Sequence, residues 1–170
     1  MHTADLGRGA RATVRALLEE SFAGLTDDDW DHALGGLHAL ARSGGELVGH
    51  AAVVQRQLRL GGRTLRAGYV EGVAVRPDRR RQGHAAALMA EVERVIRAAY
   101  ELGALSATGD GAALYAARGW LRWAGPTSAL TPAGVVRTPE EDGTVHVLPV
   151  TGPVDLGGEL TCDWRAGDLW

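Results

Sequence analysis

Between Tyr69 and Tyr100 the hydrophobic period changes from that of a strand to that of a helix, and the residues at the change leave few ways to fold the chain. Thr64 to Val75 reads as a long strand that ends at Pro77-Asp78. An arginine-rich loop follows. Then Leu88, Val92, Val95, Ile96 and Ala99 recur at spacings of four, three, one and three, which predicts a helix from about Gly83 to Tyr100 with that stripe buried. The first turn of such a helix leaves backbone N–H groups unpaired and carries positive partial charge. It is a ready seat for a pyrophosphate. Gly83 allows close approach to the backbone, Ala85 to Ala87 keep bulk away, and Arg76, Arg79, Arg80 and Arg81 add attraction for a multiply charged anion. Read alone, the segment fits a solvated basic loop capping a helix equally well.

The flanking segments fix the fold class. Residues 11–22 read as a helix on Val14, Leu17, Leu18 and Phe22, and Thr26 or Asp27 can cap a second, short helix that Gly35-Gly36 stops. Leu37 to Arg42 and Glu46 to Leu60 read as strands joined at Ser43-Gly44-Gly45, and Gly61-Gly62 turns the chain into the long strand. After the long helix, which Gly103 is expected to end, come a strand Ala104 to Ala107, a glycine-containing loop and a helix from about Gly111 to Arg118. Two last strands are expected at Trp120 to Leu130 and Thr144 to Val150, connected through Thr138 to Gly143. This order predicts a mixed α/β fold, with a mostly antiparallel central sheet and flanking helices. At 170 residues the chain is expected to form a single domain, residues 1–170, with a core of its own.

Composition excludes several function classes. The one cysteine, Cys162, allows no internal disulfide and no multi-cysteine zinc cluster. His32, His38 and His84 lack metal-ligand spacing, so no metal is expected and these histidines are assigned no part in catalysis. No run approaches the roughly 20 apolar residues of a membrane span, and Met1 to Ala10 lacks the apolar core of a signal peptide. A cytoplasmic enzyme with no membrane partner is expected. All 18 basic residues are arginine, a bias attributed to genome composition, and the formal net charge is -3. A nucleic-acid binder is basic overall, so that partner is not expected. Acids gather at Asp27, Asp28, Asp29 and Asp31, at Glu140, Glu141 and Asp142, and at Asp163 and Asp168. The pattern suits an anionic ligand at one place and a cationic one at another.

The loop Arg80-Arg81-Gln82-Gly83-His84-Ala85 resembles the Arg/Gln-x-x-Gly-x-Gly/Ala signature of the GCN5-related N-acetyltransferase (GNAT) superfamily, which also sits there between a strand and the long coenzyme-A-binding helix. A narrower resemblance covers almost the whole chain. Gly35 to Leu40, Tyr69 to Val75, Leu114 to Trp120, Gly125 to Ser128, Asp142 to Val145 and Cys162 to Asp168 are similar to the aminoglycoside 2′-N-acetyltransferases of mycobacteria and related actinobacteria. The resemblance implies the GNAT fold, acetyl-CoA as cosubstrate, a small polycationic amine as acceptor and a homodimer.

It also implies roles. Glu71, an acid within an apolar strand, would be the general base, directly or through water; an arginine partner such as Arg66 is the alternative. Gly72 would mark a bulge and contact the substrate, with the amides of Val73 and Val75 bonding the pantetheine and a main-chain N–H polarising the thioester carbonyl. Arg80, Arg81, Gln82, Gly83, His84, Ala85 and Ala86 would hold the pyrophosphate. Tyr115 would protonate the departing thiolate, or else be a core tyrosine; Ser106 would bond the substrate or relay a proton. Asp29, Glu141, Asp168 and the terminal carboxylate of Trp170 would bind the antibiotic, on a tail docked by Trp164 and Trp170. Acetylation of another cellular amine, a polyamine or a cell-wall amino sugar, remains open on the residues alone, as does a non-catalytic acyl-CoA sensor. A pure binder needs neither Glu71 nor Tyr115.

Overall fold

The computed structural model describes residues 1–107 and 111–170. The glycine-containing loop expected after the short strand falls at 108–110, outside the described residues. The chain gathers into two compact units, one from Met1–Val54 and Val70–Val95, the other from Gln55–Tyr69 and Ile96–Trp170.

In the first unit, α1 (Arg8–Ser21) lays Val14, Leu17 and Leu18 against Trp30 and Ala74, with Phe22, Leu25 and Leu40 beside them. Full burial of one such leucine is worth about 2–3 kcal/mol. Helix α2 (Asp27–His32) begins at Thr26, whose hydroxyl oxygen accepts from the Asp29 amide while the Asp29 carboxylate accepts from the Thr26 amide. This reciprocal pair is the capping box that the sequence suggested in part. Strand β1 (Leu37–Ser43) pairs antiparallel with β2 (Glu46–Leu60), from Leu37 opposite Val53 to Ser43 opposite Glu46. The end of β3 (Arg63–Val75) and most of α3 (His84–Ala99) complete the unit.

In the second unit the sheet runs β5-β8-β4-β3-β2-β9-β6-β7. Its members are the far part of β2, the near part of β3, β4 (Leu102–Ser106), β5 (Leu121–Arg122), β6 (Thr127–Thr131), β7 (Gly134–Arg137), β8 (Val145–Pro149) and β9 (Leu160–Cys162). Helix α4 (Ala112–Ala117) lies between β4 and β5 in the chain. The pairs β3–β4 and β6–β9 are parallel; β2–β9, β4–β8, β5–β8 and β6–β7 are antiparallel. The fold is therefore mixed α/β with a mostly antiparallel sheet and flanking helices, as expected. Among the described residues no helix is long and apolar enough to cross a membrane.

Several expectations need correction. Trp120 to Leu130 is not one strand. It divides into β5, which pairs with β8, and β6, which pairs with β9, because Ala124 and Gly125 turn aside to donate to the Leu156 carbonyl. Gly103 does not end the helix; α3 stops at Ala99 and Gly103 sits inside β4, opposite Gly68 and Leu148. A side chain at Gly103 would press on Leu148, Ile96 and Trp120, so the glycine serves close packing. The stripe on α3 buries Leu88, Met89, Val92, Glu93 and Ile96, while Val95 is half-buried and Ala99 is exposed. Strands β7 and β9 were not expected.

Candidate active site

The strand–loop–helix segment forms as its residues dictate. Pro77–Arg79 make one 3-10 turn after β3, Arg81 and Gly83 take left-handed φ angles of 59° and 85°, and α3 begins at His84. Those two residues turn the chain sharply enough for the first amides of α3 to stand at its open end, without acceptors in their own helix. Arg81, Gln82 and Gly83 are exposed; His84, Ala85 and Ala86 are half-buried. The four clustered arginines are not equivalent. Arg76 is fixed by Asp78 and Glu46 at 2.8 and 3.0 Å, and Arg79 lies 3.4 Å from Asp78. The Nε of Arg80 donates to the Val75 carbonyl at 3.3 Å. Arg76 and Arg79 are thus partly neutralised by Asp78 and, for Arg76, by Glu46 at the start of β2, whereas Arg80 and Arg81 have no such ion pair among the described residues.

On β3, Glu71 and Gly72 are both half-buried, so the carboxylate is less desolvated than its apolar neighbours suggested. Gly72 has a φ of 57°, a left-handed residue within a strand. A Cβ there would come within 3.2 Å of Leu18, so both the conformation and the space demand glycine. Arg66, the alternative partner for Glu71, donates from Nε to the Ala99 carbonyl, and its amide donates to Glu101. Asp29 serves as the capping-box residue of α2.

In the second unit two residues singled out separately meet. Ser106, at the end of β4, donates to Oε2 of Glu141 at 3.0 Å, and the Thr144 hydroxyl donates to the same oxygen at 2.6 Å. The carboxylate is therefore held by two hydroxyls. Glu141 ends the 3-10 turn Pro139–Glu141, and its neighbour Asp142 accepts from Thr127 and Arg137. The Arg137 guanidinium in particular holds the Asp142 carboxyl low, at about 2. Trp170 reaches the same connection, because its indole N–H donates to the Thr138 hydroxyl at 3.0 Å. Ser106, Glu141 and Trp170 are thus gathered around Thr138–Asp142.

The tail is docked, by a different set of anchors than expected. Trp170 is buried, but Trp164 is 53% exposed. The second anchor is polar: Asp163 accepts from Nε of the buried Arg56 at 2.8 Å, and Arg165 donates to the Asp168 carbonyl and, at 2.8 Å, to the main-chain oxygen of Trp170. Arg56 and Arg165 both lie against the ring of Tyr69, at 4.8 and 5.5 Å. The Asp168 residue itself is exposed.

Tyr115, on α4, is 7% exposed and packs edge-on to Trp120, with His146 on another side. Burial pushes its phenol above the ordinary value of 10, so the group keeps its proton at neutral pH. Thr138, Thr144 and the buried pair His38 and His50 are polar residues of these two regions that sequence reasoning did not single out for a role.

The sequence matches the acetyltransferase (GNAT) domain over residues 11–122. The aminoglycoside 2′-N-acetyltransferase of Mycolicibacterium fortuitum is 53% identical over 175 residues, an alignment that covers all of this chain and 90% of that protein. A GNAT family N-acetyltransferase of Escherichia coli, solved in complex with CoA, is similar in fold with a TM-score of 0.62, at 21% identity over 89% of this chain and 83% of that one. Eis1 of Mycobacterium abscessus gives a TM-score of 0.60 at 24% identity; 72% of this chain matches, spanning about a third (31%) of that longer protein.

Proposed function

Because this chain belongs to the acetyltransferase (GNAT) domain family, we propose that it is a single N-acetyltransferase domain that transfers the acetyl group of acetyl-CoA to the 2′-amine of aminoglycoside antibiotics. The observation that carries the substrate is the end-to-end identity of 53% with the M. fortuitum aminoglycoside 2′-N-acetyltransferase. The open start of α3 supports the cosubstrate: the amides of His84, Ala85 and Ala86, with Arg80, Arg81, Gln82 and Gly83, take the pyrophosphate. The amides of Val73 and Val75 bind acetyl-CoA, Val73 at the thioester carbonyl and Val75 at the pantetheine. The parallel ladder between β3 and β4, which ends after three pairs at Tyr69 and Ala104, supports that reading.

In the reaction, Glu71 removes a proton from the substrate ammonium, directly or through a water molecule, and the freed amine attacks the thioester carbon. The Val73 N–H meets the negative charge that forms on the carbonyl oxygen. The C–N bond forms, the C–S bond breaks, the thiolate takes a proton from Tyr115, and the second proton lost by the attacking nitrogen passes through water to restore the phenol. Burial of that phenol, which keeps it protonated, supports its assignment as the acid. Asp29, Gly72, Glu141, Asp168 and Trp170 bind the polycationic acceptor, and Ser106 acts with them. The resemblance further supports a cytoplasmic homodimer that confers antibiotic resistance, with no nucleic-acid, membrane or metal partner.

The test is release of free coenzyme A thiol from acetyl-CoA in the presence of paired aminoglycosides, one bearing a 2′-amine and one a 2′-hydroxyl, with spermidine as a further acceptor. Turnover confined to the 2′-amino compounds is expected. Turnover of spermidine alone would remove the antibiotic from the proposal.

A further inference from the structure

A file of hydrogen bonds runs through the first unit and ends on Gly72. Nδ1 of His50 lies 2.8 Å from the Gly72 carbonyl oxygen, Nδ1 of His38 lies 2.9 Å from Nε2 of His50, and the Thr3 hydroxyl lies 2.7 Å from Nε2 of His38. The Gly35 amide donates in turn to the Thr3 oxygen at 2.9 Å. His50 is fully buried and His38 is 3% exposed. The Thr3 hydroxyl also lies 3.2 Å from the Gly36 carbonyl, farther than from His38; because a carbonyl oxygen can only accept, neutral rings fix the direction of every bond in the file. His50 carries its hydrogen on Nδ1, which leaves Nε2 to accept. His38 therefore donates through Nδ1 and accepts at Nε2 from Thr3.

Both rings are neutral in the folded protein. Desolvation comes first in holding each at about 4, and the neighbouring ring, the N-terminal ammonium, His2 and Arg11 further disfavour a charge on His38. The file is thus a set of aligned neutral dipoles, each of which strengthens the next.

The Gly72 carbonyl belongs to the same peptide plane as the Val73 N–H. The chain has no cis peptide bonds among the described residues, so this N–H points opposite to that carbonyl. A hydrogen bond into the carbonyl fixes the plane and draws electron density from the nitrogen, which makes the N–H a stronger donor. We propose that His50, aligned by His38 and Thr3, is a positioning residue that orients and polarises the Gly72–Val73 peptide so that the Val73 N–H is presented to the thioester carbonyl. The inference rests on the acetyl-transfer reading above for the role of that N–H. Gly72 provides the left-handed bend that turns the carbonyl onto the imidazole; His50 then locks it.

The test compares the protein as it stands with His50→Phe, which keeps the ring and removes the donor, and with His50→Asn, whose side-chain amide nitrogen takes the place of Nδ1. Expected for His50→Phe is a fall in kcat of about tenfold, with KM for amine and acetyl-CoA within about twofold, since one donor at an oxyanion is worth about 10²–10³ and this one is altered without being removed. His50→Asn is expected to recover most of the rate. The Val73 amide proton should move upfield in His50→Phe and return in His50→Asn, in nitrogen–proton spectra recorded without substrate. An unchanged kcat and an unmoved Val73 resonance in His50→Phe would overturn the proposal. If neither variant folds, nitrogen spectra of the wild-type histidines decide it, because an Nε2–H tautomer at His50 contradicts the file. Absence of wild-type turnover would reject the acetyl-transfer reading while these spectra still report on the peptide.

Discussion

Ser106 donates its hydroxyl hydrogen to Glu141 across 3.0 Å, so two residues with separate assignments act on each other. With Thr144 on the same oxygen at 2.6 Å, the carboxylate is held in one orientation by two hydroxyls. Ser106→Ala removes one of two hydrogen bonds to a charged group, each worth about 1.5–3 kcal/mol in comparable settings. Since Thr144 remains, KM for the aminoglycoside is expected to rise by roughly three- to tenfold with kcat nearly constant. A fall in kcat at unchanged KM, in the same steady-state assay, would instead make Ser106 a proton relay.

Tyr115→Phe removes the phenolic proton and little else, because the ring keeps its packing on Trp120. A fall in kcat of about 10²-fold is expected, with the acetyl-CoA dissociation constant, read by calorimetry, within about twofold. Burial raises the phenol from 10, so the acid stays protonated through pH 9 and the wild-type rate should show no alkaline loss from this group below that. Unaltered turnover would return Tyr115 to the role of a core residue.

Glu71→Gln keeps the size of the side chain and removes its capacity to take a proton. The expected result is a loss of about 10²-fold or more in kcat/KM for the amine, with acetyl-CoA binding retained. A wild-type rate in the variant would sink the assignment.

Acid should destabilise the first unit in a defined window. His38 and His50 each stand at about 4 when folded, against 6.5 for an ordinary histidine. Between these values the unfolded chain binds more protons, so the stability is complete above pH 6.5 and is lost as pH falls toward 4. The loss is roughly 3 kcal/mol for each ring taken alone, and the two together give less than twice that because they are neighbours. Urea unfolding at pH 7.5, 5.5 and 4.5 measures it, and His50→Phe should show about half the slope. A flat profile in the wild type would mean that the rings are not shielded.

The sequence revealed most where a period was long. The sixteen residues of α3 and the strand before it stood out because Leu88, Val92 and Ile96 repeat over more than two turns and Pro77 breaks the register sharply. Thr26 and Asp29 carry their own signature, three residues apart. Strands β5, β7 and β9, of two to four residues, are too short to show a period. Their existence depends on partners far away in sequence, as when Leu160 pairs with Leu60 and Thr127. Glu71 and the loop at Gly83 stood out locally, as an acid in an apolar strand and a glycine before a helix, whereas Tyr115 was singled out by the resemblance alone. The His38–His50 contact was not legible, since it needs the hairpin register that sets Leu40 opposite His50 and so brings His38 diagonally beside it. Trp164 and Trp170 show the same limit: their likeness in composition conceals that only one is buried, because Arg56 and Arg165 hold the tail from the other side.

The cations that tie this fold together share one chemistry. Arg56 on Asp163, Arg76 on Asp78 and Glu46, and Arg137 on Asp142 are all guanidinium groups, and the sequence contains no lysine. A guanidinium stays protonated at any physiological pH and is a poor nucleophile, whereas a lysine amine is the kind of group that an activated acetyl thioester modifies. Whatever the origin of the arginine bias, a protein that handles such a thioester thereby has no side-chain amine of its own to compete with the acceptor. Its ion pairs cannot be worn away by its own chemistry, and reagents that label amines will report the acceptor with little side-chain background.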